Sequence, residues 1–204
     1  MDKTGQKNEQ ASRMPGSDST GTTLESKLEK LESILDGYGK MTVALSGGVD
    51  SAFLLCFAYK KWHDDRIAAL TACGPHFAPD ETEYSAALCS TLDISHELIP
   101  VDHILPLIED NPVDRCYVCK KAIFSSIKKL TDEQGRVLAD GTNLDDMSDY
   151  RPGHKALQEL KVASPLKEAG LTKQAIRTAL HQLAESDPLI KQALTVPSPG
   201  GSIP

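Results

Sequence analysis

Two short stretches carry the residue types best able to do chemistry. Ser46-Gly47-Gly48-Val49-Asp50-Ser51 sits where an apolar run, Met41 to Leu45, gives way to an amphipathic stretch, Ala52 to Trp62, that reads as a helix. Two glycines let the backbone curl with no side chain in the way, so successive N–H groups can converge on an anion at the positive end of the following helix. Ser46 and Ser51 add neutral donors. Asp50 repels a phosphate directly, which points it instead at a magnesium ion, since hard cations prefer carboxylate oxygen and bridge readily to phosphate. No lysine follows the glycines, so the Gly-Lys-Ser/Thr ending of the Walker P-loop is missing. The chemistry implied is a different grip on a nucleotide's polyphosphate, against the plain alternative of a glycine turn between strand and helix.

The second stretch, Asn111-Pro112-Val113-Asp114-Arg115-Cys116-Tyr117-Val118-Cys119-Lys120-Lys121, puts two thiols three residues apart at a helix start. Cys116 and Cys119 then face the same way. A helix N-terminus lowers a thiol pKa, which suits metal ligation, redox exchange or nucleophilic sulfur chemistry. A zinc or iron–sulfur site needs further ligands and the chain has no second such pair, so two structural thiols remain the plain alternative. A third segment, Leu138 to Asp146 followed by Asp149-Tyr150-Arg151-Pro152-Gly153, leaves a strand at the same sheet edge as the glycine turn. Asp140, Gly141 and Asn143 are apt for a nucleotide or magnesium, and Arg151 can fork onto a phosphate or carboxylate. Read by itself, that segment is a solvated acidic loop.

The elements that must position these residues follow from periodicity. Thr22 with Glu25 reads as a capping box before a helix with Leu24, Leu28, Leu31 and Leu35 on one face, ended by Gly37 and Gly39. Strands are expected at Met41 to Leu45, Arg66 to Cys73, His96 to Val101, Val137 to Ala139 and, briefly, Val162-Ala163. Helices are expected from Asp80 to Leu92, Arg115 to Leu130 and Thr172 to Ala184. Alternating strands and helices of this length imply an α/β domain: a parallel sheet of about five strands covered by helices on both faces. Ligands in such sheets lie beyond the C-terminal strand ends, where the glycine turn falls.

Composition sets the bounds. The 204 residues allow one sizeable α/β core and not two. The division expected is a disordered tail over 1–21, one domain over 22–185 and a Pro/Gly-rich tail over 186–204. Twenty-two Lys and Arg against 29 Asp and Glu give a net charge of −7, which argues against a nucleic-acid partner. No apolar run approaches a bilayer span and the start has no hydrophobic signal core, so a cytoplasmic protein with no membrane partner is expected. Five cysteines, an odd number, fit reduced thiols rather than a secreted disulfide framework. Cys56, Cys73 and Cys89 read as packing residues, and His96, His103 and His154 are assigned no role.

The glycine turn resembles the Ser-Gly-Gly-x-Asp-Ser signature of the PP-loop ATP pyrophosphatases. With Asn-Pro-x-Asp-Arg-Cys-Tyr-x-Cys-Lys, Ala-Asp-Gly-Thr-Asn, Asp-Tyr-Arg-Pro-Gly, Ser164-Pro165-Leu166 and Glu168-Ala169-Gly170-Leu171-Thr172-Lys173, the chain from about Leu24 to Leu183 is similar to the LarE family within that superfamily. The resemblance implies an adenine nucleotide alpha hydrolase-like (HUP/PP-loop) fold and an ATP-dependent sulfur transferase with magnesium and a small-molecule nucleotide substrate. Such enzymes adenylylate a carboxylate of a pyridinium biscarboxylic acid mononucleotide, release pyrophosphate and make a thiocarboxylate. It implies Ser46, Gly47, Gly48, Asp50, Ser51, Asp140, Gly141, Asn143 and Arg151 on ATP, Asp50 on the metal, and Cys116 and Cys119 as sulfur, persulfide or iron–sulfur cluster residues. A homo-oligomer is also implied. The family's later Cys-x-x-Ser-Arg segment is missing here, which leaves a relocated donor or a partner as sulfur source. A tRNA-thiolating PP-loop enzyme and a nucleotide-binding module without turnover are the alternatives.

Overall fold

The computed structural model describes residues 23–75, 77–104, 106, 114–147 and 152–195. Four strands form the sheet: β1 (Met41–Ala44), β2 (Ile67–Cys73), β3 (Ser95–Pro100) and β4 (Val137–Ala139). All pairings are parallel, in the order β3-β2-β1-β4, with Met41 opposite both Ile67 and Val137. The chain therefore builds outward from β1 through β2 to β3, then returns to lay β4 on the other side of β1. That return is the switch point at which open α/β sheets leave a crevice.

The expected fifth strand shrinks to one parallel bridge, Ala139 to Ala163. Lys161 just before it has φ +53°, and Pro165 opens a helix just after it, so no room is left to extend the pairing. The sheet has four strands rather than about five.

Helices cover both faces. On one lie α1 (Leu24–Asp36), α2 (Val49–Trp62) and α3 (Pro79–Thr91), with α6 (Pro165–Glu168), α7 (Lys173–Ser186) and α8 (Pro188–Leu194) packed on them. On the other lie α4 (Arg115–Glu133) and α5 (Pro152–Glu159), whose Ile123, Phe124, Ile127 and Leu157 pack with Leu70 and Leu138 of the sheet. Helix α2 is the most enclosed, with Phe53, Leu54, Leu55 and Cys56 fully buried. Short 3-10 turns span Asp102–Ile104 and Asp145–Met147.

Two sequence expectations need correcting. The cap of α1 is Thr23, which accepts from the Ser26 N–H, one residue later than the capping box predicted. The segment after 185 is not all tail: Asp187 caps α8 by accepting from the Leu189 and Ile190 N–H groups, Pro188 takes the first helical position, and Ile190, Ala193 and Leu194 are buried. Lys60 pairs with Asp187 at 2.9 Å and ties this turn to α2. The tail expected over 1–21 and the last part, 196–204, of the one expected over 186–204 lie outside the described residues, as do Asn111 to Val113 and Asp149 to Arg151. No helix among the described residues is long and apolar enough to cross a membrane.

Helix α8 is thus part of the domain's core. Ile190→Ala is expected to cost about 2–5 kcal/mol in urea unfolding, the range for emptying a buried aliphatic site; an unchanged midpoint is the result a loose tail would give.

Candidate functional site

The site grows from the adjacency of β1 and β4. After Ala44 the backbone turns through Ser46, Gly47 and Gly48 into α2. Gly47 has φ +74°, and a Cβ there would lie 3.2 Å from the Cα of Glu81 on α3, so both conformation and space call for glycine. Gly48 caps α2 with no side-chain hydrogen bond, and the first intrahelical bond runs from the Ala52 N–H to the Gly48 carbonyl. Helix geometry then leaves the N–H groups of residues 49–51 for an outside acceptor. Ser51, 3 % exposed, braces the turn: its Oγ donates to the Gly48 carbonyl at 3.0 Å, accepts from the Ser46 N–H at 3.3 Å and lies 3.2 Å from the Ser46 Oγ.

The loop after β4 is pressed against that helix start. A Cβ on Gly141 would come within 2.7 Å of the Ser51 nitrogen, a distance no side chain tolerates. Two residues on, the fully buried Asn143 donates from Nδ2 to the Asp50 carboxylate at 2.9 Å, while its Oδ1 accepts from the N–H groups of Asp145 and Asp146. Asn143 therefore holds the carboxylate that the sequence assigned to a metal. Asp140 is engaged elsewhere: its carboxylate accepts from the Thr142 N–H, the Thr142 hydroxyl and the Ser164 hydroxyl, which fixes the loop to the segment after α5. It lines the site as a brace.

Between the two loops lies a cavity of about 250 Å³. Its walls bring together Ser46, Gly48, Asp50 and Ser51 with Asp140 and Gly141; Asn143 stands behind, holding Asp50. Gly47 shapes the turn, and Arg151 lies outside the described residues. Four further polar wall residues were given no role by sequence reasoning: Thr142, Asp146, Lys120 of α4 and His154 of α5. Lys120 also lines an adjoining apolar cavity of about 190 Å³, formed by Leu70, Ala72 and Phe77 with Ile123, Phe124 and Ile127. The start of α5 closes over the lysine stem, because a Cβ on Gly153 would lie 2.8 Å from the Lys120 Cδ. A larger cavity, about 410 Å³, opens at the opposite sheet edge beside Asp93, Ser95 and Arg136, away from the glycine turn and at the end of the strands where such folds do not bind ligands.

The acidic floor bears on a metal. Burial raises the pKa of Asp50, the Asn143 hydrogen bond lowers it, the charge of Asp146 raises it, and Lys173 and Arg177 lower it; burial prevails. Three carboxylates, Asp50, Asp140 and Asp146, line this one cavity, which favours a cation. Among the described residues no group of three or more His, Cys, Asp or Glu side chains converges on a common point, so these residues offer a cation one or two oxygen ligands. That fits magnesium, which keeps several waters and takes the rest of its shell from phosphates. Among the described residues no third ligand of this kind converges with Cys116 and Cys119.

Cys116 is exposed and Cys119 is half-buried on the first turns of α4. The expectation of a thiol activated by the helix end is reversed at Cys119. Burial raises its pKa more than Arg115 lowers it, and the neighbouring Cys116 raises it further. Cys56 and Cys89 are buried, as packing predicted, and burial pushes Cys89 up to about 12.

With this geometry in hand, the profile of the NAD synthase family matches residues 22–130, just over half of the chain. The chain belongs to the NAD synthase family, within the PP-loop superfamily. It is 36 % identical over 156 residues to an uncharacterized protein of Synechocystis, covering 76 % of this chain and 58 % of that one. It is 30 % identical over 163 residues to the pyridinium-3,5-bisthiocarboxylic acid mononucleotide synthase of Lactiplantibacillus plantarum, a LarE-type protein, covering 79 % and 59 %. The chain thus spans a little under three fifths of the curated relatives it matches. Among solved structures, the glutamine-dependent NAD+ synthetase of Acinetobacter baumannii in complex with ADP superposes with a TM-score of 0.65 at 16 % identity, over 89 % of this chain and 37 % of that one. The NH3-dependent NAD synthetase of Campylobacter jejuni gives 0.62 at 16 % identity, over 84 % and 78 %. These likenesses bear out the α/β PP-loop fold of the NAD synthase family.

The partly buried charge of Asp50 has a consequence for stability. Its carboxyl titrates higher in the folded chain than in the unfolded one, so its contribution is fully favourable below the ordinary carboxylate range, about pH 4, and is lost as pH rises through the raised value. Asp50→Asn, isosteric with the protonated acid, is expected to match the wild type in acid and to exceed it in stability towards neutral pH. Urea unfolding across that range checks the sign; parallel profiles would contradict it.

Proposed function

We propose that this protein is an ATP-using PP-loop enzyme that adenylylates a carboxylate, releases pyrophosphate and converts the product to a thiocarboxylate, with a pyridinium biscarboxylic acid mononucleotide as acceptor. The observation that carries the reading is the shared cavity. The glycine turn, Asp50 held by Asn143, and Lys120 all face it, and Lys120 also faces an apolar cavity able to take a base. The likeness to the bisthiocarboxylic acid mononucleotide synthase supports the acceptor class.

In this reading the β and γ phosphates lie on the N–H groups of residues 49–51, Ser51 among them, and on the Ser46 hydroxyl, and the adenine lies among Leu70, Phe77 and Phe124. The α phosphate then falls between the two cavities, beside Lys120. A carboxylate oxygen of the acceptor attacks the α phosphorus, the bond to the bridging oxygen breaks, and pyrophosphate leaves toward amides already oriented for its growing charge. Lys120 balances charge on the equatorial oxygens. Magnesium, held by Asp50 with Asp146 beside it, would supply Lewis-acid charge stabilisation of the leaving pyrophosphate. Arg151 is proposed to add a forked contact to phosphate or carboxylate. Adenylylation makes AMP the leaving group, which opens the carbonyl to a sulfur nucleophile.

Incubation with ATP, magnesium, the mononucleotide and sulfide as nucleophile is expected to yield AMP and pyrophosphate in equal amounts and only when the acceptor is present. Lys120→Met should lower that rate about 100-fold, the scale for losing one preorganised charge-stabilising group. Formation of ADP and phosphate, or AMP formation indifferent to the lysine, would overturn the reading.

A further inference from the structure

We propose that Glu81 reads the ribose of the bound nucleotide, its carboxylate accepting from the 2′- and 3′-hydroxyls and so selecting ribonucleotides over deoxyribonucleotides. This role rests on the ATP site of the proposed function and adds to it a residue that sets substrate choice. Ser46 and Lys120 line both the cavity of about 250 Å³ and the apolar one of about 190 Å³, so they mark the junction between them. Glu81, on the first turn of α3, lines the apolar cavity and stands against the glycine turn: a Cβ on Gly47 would lie 3.2 Å from both its Cα and its Cβ. The stem of the side chain therefore leaves the backbone where the phosphate grip meets the base cavity. A nucleotide with its phosphates on the one and its base in the other places its sugar there.

Chemistry narrows what Glu81 can meet. An ionised carboxylate only accepts hydrogen bonds, so the group facing it must donate. The donors that ATP offers are its ribose hydroxyls and its adenine amine; the phosphates are repelled. The hydroxyls lie next to the phosphates and the amine at the far end of the base, so a carboxylate rooted at Gly47 meets the hydroxyls. Leu70, Ile123, Phe124 and Ile127 give the rest of the cavity the apolar lining a base requires, and Glu81 is the acidic residue in that wall. It is half-buried, and among the described residues no hydrogen bond or ion pair engages its carboxylate, in contrast to the three donors on Asp140. An acceptor in that state is available to a ligand.

Selectivity follows from what a missing hydroxyl leaves behind. A bound nucleotide takes water away from the carboxylate, and a deoxynucleotide returns no donor in its place, so a charge is left under-satisfied. The two hydroxyls are neighbours on one edge of the sugar and match the two oxygens of one carboxylate, so the loss of either is felt. Glutamine keeps an acceptor oxygen without the charge and retains a weaker preference. Alanine removes the acceptor while keeping the Cβ that meets Gly47, so the glycine turn keeps its packing.

Calorimetry of the full chain with magnesium and, in turn, ATP, 2′-deoxy-ATP, 3′-deoxy-ATP, inosine triphosphate and pyrophosphate tests the assignment. The wild type is expected to bind each deoxynucleotide about tenfold more weakly than ATP, the lower end for losing a hydrogen bond to a charged group. Glu81→Ala should bind ATP and both deoxynucleotides alike, Glu81→Gln should keep part of the preference, and pyrophosphate should bind the wild type and both variants equally. Equal binding of ATP and the deoxynucleotides by the wild type, or a preference that survives Glu81→Ala, would overturn the role. A preference for ATP over inosine triphosphate that Glu81→Ala abolishes would also overturn it, by placing the carboxylate on the base. Weaker pyrophosphate binding by Glu81→Ala would do the same by placing it on the metal. Failure of pyrophosphate to bind even the wild type would instead remove the ATP site itself, and this role with it.

Discussion

The contact between Gly141 and the first turn of α2 is the constraint on which the site depends. At 2.7 Å from a would-be Cβ to the Ser51 nitrogen, the β4 loop approaches the helix start as closely as backbone allows. That approach lets Asn143 reach Asp50, and the hydrogen bond at 2.9 Å then joins two loops separated by more than ninety residues of chain. Without the return of β4 beside β1, the glycine turn would be an anion site with one wall. With it, the turn faces a second loop, and a cavity large enough for a polyphosphate lies between them.

The arrangement sets binding against stability. Asp50 is held partly out of water, opposite Asp146, with a hydrogen bond and two cationic neighbours that do not fully offset burial. A carboxylate kept in that state is poised for a cation, and the folded chain carries the cost until one arrives. Such strain at a site is common where function requires a charge that folding does not.

Much of the fold was legible because its signals are local. The strand, glycine turn and helix around Ser46 to Ser51 follow from composition and spacing within twenty residues, and the helix of Arg115 onward from its periodicity. What escaped was either short or non-local. Asp187-Pro188 is a good N-cap and first turn, with Ile190, Ala193 and Leu194 at helical spacing, yet the Pro/Gly run after Thr195 masked it. Lys120 and His154 belong to helices on a different face from α2, and nothing in their own neighbourhoods shows that they meet one cavity. Asp140 lines the cavity as a brace, since three donors on its carboxylate, which only the structure reveals, already engage it. The thiol at Cys119 turned the other way since burial, which spacing does not report, outweighs Arg115.

The central claim is that a polyphosphate docks on the backbone between Leu45 and Ala52. An amide NMR titration of the full chain with magnesium pyrophosphate tests it most directly. The account predicts that the resonances of Gly47 through Ser51 and of Asn143 shift first and furthest, and that the shifts vanish when magnesium is chelated. Shifts centred instead on Asp93, Ser95 and Arg136, or shifts at the glycine turn that persist without magnesium, would contradict it.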